Sequence, residues 1–276
     1  MTLGLMVVAA MVLIGGCRNQ SNAVAGASPQ AKAVTKPTAV PADLPTYWIV
    51  GDSTVKNGSM ERLGWGEVIT PLFDETKIKV VNKAIGGRST RNYIAQGRWA
   101  DVLKSAKPGD YVSVQFGHND GGNIGGPKGD RGTLAGIGEE TKDYLDDANQ
   151  TVTVRTYGWY LRQYVKEAKA KKLNVILVTP VCRDNWNKDG TLKNDIRKYA
   201  QWMIEVAKQE GAPLLDLNAI IARYYSQMGQ SKVSGIFFMG TDHTHNTPAG
   251  AEFNAACVAE GLRAMKDCGL KDYLKK

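Results

Sequence analysis

The chain has 276 residues, 43% hydrophobic and 22% charged, with 30 glycines and 10 prolines. That balance suits a folded globular protein and excludes collagenous, mucin-like and fully disordered chains. The net charge of +8 favours acidic partners without defining a fold, whereas scattered lysines with no finger spacing or aromatic–basic pattern exclude the usual nucleic-acid readers.

Residues 1–17 are expected to be an export signal. The apolar run at 3–16 is shorter than the about 20 residues of a membrane-spanning helix, and it closes in small residues as secretory segments do. Ile14-Gly15-Gly16-Cys17 is similar to a bacterial lipobox, so Cys17 is the expected lipidation site. No Lys or Arg precedes the run, which departs from the usual signal pattern. The expectation is an exported bacterial protein, at the outer membrane or in the periplasm as a lipoprotein and otherwise secreted, touching membrane only through its lipid. Residues 18–45 are rich in Ala, Pro, Ser and Thr and suit a tether that has little to bury.

From residue 46 onward, short β-rich runs at 47–50, 78–82, 111–116, 174–179 and 213–217 alternate with helical patterns at 66–73, 99–105, 157–172, 195–209 and 219–228, before a last helix at 249–265. Apolar residues three and four apart mark the helices. This rhythm predicts a single α/β domain over 46–276, with a five-stranded parallel sheet between two helical layers. Outside the cytosol, Cys257 and Cys268 are expected to form a disulfide, with Cys182 left as a buried thiol; sequence leaves pairing of Cys182 with either one open.

Ligands of such sheets bind beyond the carboxyl ends of the strands, and three loops there carry unusual polar groups. They are Gly51-Asp52-Ser53-Thr54, the stretch from Ala84 to Arg91, and Gly117-His118-Asn119-Asp120-Gly121-Gly122. Ser53 stands where a helix is expected to start, so it is either a cap or a nucleophile. The second loop lacks the Lys and the spacing of a P-loop. The three histidines, His118, His243 and His245, all lie in polar loops. A serine nucleophile needs an imidazole base, and that base needs a carboxylate to fix its tautomer; Ser53, His245 and Asp242 supply the set. A metal reading through Asp242, His243 and His245 lacks a distant fourth ligand unless His118 joins, so no metal is expected.

Four blocks in order carry a family resemblance: GDST with Ser53, NKAIGGRSTR with Gly87, FGHNDGG with Asn119, and TDHTHNTPAGA with Asp242 and His245. Together they resemble the SGNH, or GDSL-like, hydrolase superfamily, and within it the rhamnogalacturonan acetylesterase group. The resemblance implies the three-layer SGNH fold, Ser53 as nucleophile, His245 as base and Asp242 as its orienting carboxylate. It also implies an oxyanion hole made by the backbone N–H groups of Ser53 and Gly87 and the side-chain amide of Asn119, which agrees with the need for fixed donors around developing negative charge. No cofactor is implied.

The implied reaction is deacetylation of an acidic, acetylated plant polysaccharide through an acetyl-enzyme, with acetylated rhamnogalacturonan first and acetylated xylan as the alternative. A non-catalytic polysaccharide-binding lipoprotein is the reading of a different class. Specificity is assigned to the insertions at 121–151 and 181–191, where Trp186 is expected as an exposed sugar platform. Arg88 and His243 are further candidates for substrate contact. Arg88 and Arg91 are equally suited to tying the second loop to Asp52 or Asp120, and His118 to organising its own loop. A monomer is expected.

Overall fold

The computed structural model describes residues 44–125, 131–146 and 148–276; Cys17 and the expected leader lie outside them. Its elements in chain order begin with β1 (Thr46–Gly51), α1 (Trp65–Val68), β2 (Lys79–Asn82), α2 (Thr90–Ala95), α3 (Arg98–Ser105) and β3 (Tyr111–Gln115). Then come β4 (Thr141–Leu145), β5 (Thr151–Arg155), α4 (Tyr157–Ala170), β6 (Asn174–Val178), α5 (Arg197–Glu210) and β7 (Leu214–Leu215). The last are α6 (Leu217–Met228), α7 (Gln230–Ile236), β8 (Phe238–Met239), β9 (Asp242–Asn246) and α8 (Pro248–Ala264).

The sheet order is β2-β1-β3-β6-β7, and every neighbouring pair is parallel. Alternation along the strands splits the core into two apolar layers. Tyr47, Ile49, Ile176 and Val178 pack toward α6 and α8, while Trp48, Val50, Val112, Val114 and Leu177 pack toward α3, α4 and α5. This is the three-layer α/β/α architecture of the SGNH fold. The strand order reverses direction between β1 and β3, the switch point where such sheets open a crevice.

Several elements differ from the periodicity. The helix expected at 66–73 is a single α-turn followed by a 3-10 turn at Thr70–Leu72, because Pro71 has no N–H to continue the helical ladder. No helix starts at Ser53; the N–H groups of Val55 and Lys56 both donate to the Asp52 carbonyl, making an isolated turn. The last strand shrinks to two residues because the Asp216 side chain caps α6, accepting from the Ala219 N–H at 3.2 Å. The region read as a glycine- and aspartate-rich insertion contains β4, which pairs antiparallel with β5. The segment before the last helix is a hairpin of β8 and β9 rather than a loop.

The expected disulfide is absent: Cys182, Cys257 and Cys268 are buried free thiols. Cys257 lies within α8 near Glu260 and Arg223, whereas Cys268 lies near Tyr47 and Tyr111 of the sheet, so the two thiols have different neighbours. Burial pushes the Cys257 thiol up to about 12.

Candidate active site

β1 ends in a turn built around Asp52. Its fully buried Oδ1 accepts from the Thr54 N–H at 2.9 Å and the Thr54 hydroxyl at 2.7 Å. Thr54 in turn accepts from Gln115 Nε2 at 2.8 Å, and Gln115 Oε1 accepts from the indole of Trp65 at 2.9 Å. This chain of bonds joins β1, β3 and α1 and leaves Ser53 as the partly exposed residue of the turn. Burial alone would raise the Asp52 carboxyl, but the charge of His118 and the bonds from Thr54 hold it below the usual range. His118 Nδ1 lies 3.4 Å from Asp52 Oδ2, close enough for attraction though poorly aligned as a hydrogen bond. Its Nε2 lies 3.1 Å from the Val181 carbonyl. His118 therefore organises its loop from behind Ser53.

β9 brings the other two groups. His245 Nε2 is 2.9 Å from Ser53 Oγ, and His245 Nδ1 is 2.9 Å from Asp242 Oδ2. The N–H groups of Thr244 and His245 both donate to Asp242 Oδ1 at 3.0 Å. Burial would raise the Asp242 carboxyl, but these backbone bonds and His245 lower it, so it stays ionised. A bridge between Leu63 and Asn246 ties the loop after β1 to β9, with the Leu63 N–H donating to the Asn246 carbonyl at 3.0 Å. Both nitrogens of His245 are thus committed to Ser53 and Asp242, an arrangement for proton transfer rather than metal ligation.

The second loop is shaped by Ser89, which caps α2. Its hydroxyl accepts from the Asn92 N–H at 3.3 Å, while Asn92 Oδ1 accepts from the Ser89 N–H at 2.7 Å. Gly86 abuts the nucleophile: a Cβ placed there would lie 3.5 Å from Ser53 Cβ. Gly87 has φ +74°, a conformation that strains L side chains. At the end of β3, Gly117 has φ +145° and lies so close to Pro180 that a Cβ would approach it to 3.1 Å. That tight passage delivers Asn119 to the site. Asn119 Nδ2 donates to the Arg88 carbonyl at 2.9 Å, and Asn119 Oδ1 accepts from Arg131 at 3.1 Å. A primary amide has two N–H hydrogens, and these contacts fix the orientation of the group while using one of them.

The residues proposed for substrate contact fare differently. Arg88 is folded onto its own loop, donating to Gln96 Oε1 at 3.1 Å and to the Gly86 carbonyl at 2.9 Å, rather than tying the loop to Asp52 or Asp120. Arg91 is buried against Tyr144. Asp120 instead accepts from the Thr90 N–H at 3.0 Å and the Thr90 hydroxyl at 2.5 Å. Trp186 is half-buried against the core, not an exposed platform, because its indole N–H is anchored on Asp184 Oδ1 at 2.6 Å. His243 points to the same carboxylate, with Nδ1 3.6 Å from Asp184 Oδ2, and leaves Ser53 to His245.

Two functional arginines escaped sequence reasoning. Arg62 Nε is 3.0 Å from Asp242 Oδ2, and Arg131 holds Asn119. Neither sits in a periodic or motif-like context, so no signal in the sequence singles them out. A polar cavity of about 250 Å³ opens beside Asn119, walled by Arg131, Arg183, Asp195 and Tyr199. A hollow of about 290 Å³ near Arg91 and Trp159 contains none of the three reacting groups.

A hydroxyl hydrogen-bonded to an imidazole, an imidazole backed by a carboxylate, and polar donors from two further strand ends define a serine-dependent acyl hydrolase built on an SGNH fold. The chain belongs to the GDSL-like Lipase/Acylhydrolase family, whose model matches residues 49–253. It is 31% identical over 223 residues to a probable rhamnogalacturonan acetylesterase, YesY, of Bacillus subtilis, covering 79% of this chain and 92% of that one. It is 30% identical over 227 residues to a rhamnogalacturonan acetylesterase of Emericella nidulans, covering 80% and 88%. Among solved structures, protein YxiM of Bacillus subtilis superposes with a TM-score of 0.64 at 28% identity; the alignment covers 81% of this chain and 57% of that one.

Proposed function

We propose that this protein removes O-acetyl groups from acetylated rhamnogalacturonan. The observation that carries the chemistry is the continuous contact from Ser53 Oγ through His245 to Asp242; the choice of polysaccharide draws on the two rhamnogalacturonan acetylesterases similar along most of this chain. Ser53 Oγ attacks the acetyl carbonyl carbon as its proton passes to His245 Nε2. The carbonyl π electrons move to oxygen, where the N–H groups of Ser53 and Gly87 and Asn119 Nδ2 receive the charge. Collapse of this intermediate breaks the bond to the sugar oxygen, which leaves as a hydroxyl with the proton from His245. Water, deprotonated by His245, then attacks the acetyl-serine and releases acetate and free Ser53. Asp242 stays ionised throughout and stabilises the imidazolium.

Acetate release from acetylated rhamnogalacturonan oligosaccharides, compared with acetylated xylo-oligosaccharides, tests this reading. Faster turnover of the first, abolished in Ser53→Ala, is expected. Preference for the xylan fragments would replace the substrate while keeping the chemistry, and binding without acetate release would favour a polysaccharide-binding protein. We propose further that Cys17 carries the lipid of an exported lipoprotein, on the strength of the Ile14-Gly15-Gly16-Cys17 tetrad. Detergent partitioning lost in Cys17→Ser is the expected result.

A further inference from the structure

Arg131 occupies an unusual electrostatic position. Its Nη1 donates to Asn119 Oδ1 at 3.1 Å, and a Cβ placed on Gly87 would lie 3.6 Å from the same nitrogen. Its stem runs across Gly122, where a Cβ would meet Arg131 Cγ at 3.2 Å. The guanidinium thus stands beside both donors that accompany Ser53 in the oxyanion hole. Two other arginines at the site are paired with carboxylates, Arg62 with Asp242 at 3.0 Å and Arg183 with Asp195 at 3.0 Å, and Arg88 is folded back onto Gln96 and the Gly86 carbonyl. Asp195, whose Oδ2 also accepts from Asn185 Nδ2 at 3.0 Å, lines the cavity together with Arg183, so that pair adds no net charge to it. Arg131 is exposed and, among the described residues, has no carboxylate within ion-pair distance. It opens onto the cavity of about 250 Å³ next to Asn119.

We propose that this cavity is a carboxylate subsite in which Arg131 pairs with a uronate of the acetylated sugar or of its chain neighbour. A planar guanidinium fork matches a carboxylate in a way that lysine cannot, and among the described residues a single Arg131 nitrogen is engaged. Covering by a polysaccharide removes water from the pair and strengthens it relative to an open surface contact. The same cation that reads the substrate polarises the Asn119 amide, which couples recognition of an acidic chain to the oxyanion hole. This inference rests on the acetylesterase reading above and names the part of the substrate that the site reads.

The test uses an acetylated uronate-containing oligosaccharide and the same oligosaccharide with its carboxylates reduced to primary alcohols. The wild type is expected to favour the acidic form in kcat/KM by roughly 10- to 100-fold, the size of a charge-assisted hydrogen-bond pair. Arg131→Met should collapse that ratio toward unity, and Arg131→Lys should restore part of it, with melting curves confirming that both variants fold. Equal wild-type rates on the two forms overturn the subsite and leave the acetylesterase intact. An equal fall on both forms in Arg131→Met also overturns it, leaving Arg131 only as the residue that positions Asn119. Absence of acetate release from both forms and from 4-nitrophenyl acetate overturns the acetylesterase reading itself.

Discussion

Arg62 and His245 share one oxygen: Asp242 Oδ2 lies 3.0 Å from Arg62 Nε and 2.9 Å from His245 Nδ1. The carboxylate that orients the base is itself held by a cation from the loop after β1. Arg62→Met should lower kcat several-fold with little change in KM, since the pair is partly solvated and worth about 1 kcal/mol or less. Initial-rate kinetics on a small acetyl ester checks this. The wild type should also lose part of the Arg62 contribution as salt is raised, and the variant should not.

The placement of two neighbouring histidines gives a direct test of the triad. Ser53→Ala and His245→Ala should each reduce acetyl-ester turnover by about 10³-fold or more, with unchanged melting temperatures. His243→Ala should stay near the wild-type rate, because His243 faces Asp184 rather than Ser53. Loss of activity in His243→Ala together with survival in His245→Ala would contradict the observed geometry.

Asn119→Ala removes the amide held between Arg131 and the Arg88 carbonyl. A fall in kcat of roughly 10²- to 10³-fold is expected, by comparison with loss of one oxyanion donor elsewhere. KM should move little, because the bond strengthens mainly in the transition state. Unchanged kcat in a folded variant removes Asn119 from the oxyanion hole.

Asp120 gives the fold a pH dependence. Complete burial, with a smaller contribution from Asp52, raises its carboxyl to about 7 against the lowering effect of the Thr90 bonds. In the unfolded chain the same group ionises near the ordinary value of about 3.9. Its folded-state proton therefore contributes stability at acid pH that is lost as pH rises from about 4 through about 7. Asp120→Asn keeps an oxygen for Thr90 and removes the titration. The variant should show a flatter profile of melting temperature across that interval, and the wild type should decline relative to it; parallel profiles would show that Asp120 is ionised throughout.

The chemistry was legible in the sequence wherever one short segment carries both the group and the reason for its position. Ser53 stands two residues beyond a buried β-run, and Asp242 stands three residues before His245, a spacing at which the carboxylate meets the ring and its backbone N–H together. Alternating strands and helices likewise determined the five-stranded sheet, because side-chain periodicity reports which faces are buried. Tertiary structure alone decided the contacts between segments far apart in the chain. Arg62 reaches Asp242 and Arg131 reaches Asn119 through loops without periodicity, packing against the core half-buries Trp186, and Cys257 and Cys268 stay unbridged. A residue type states what chemistry is available; only the folded path of the chain sets the few ångströms that turn a charge into a partner.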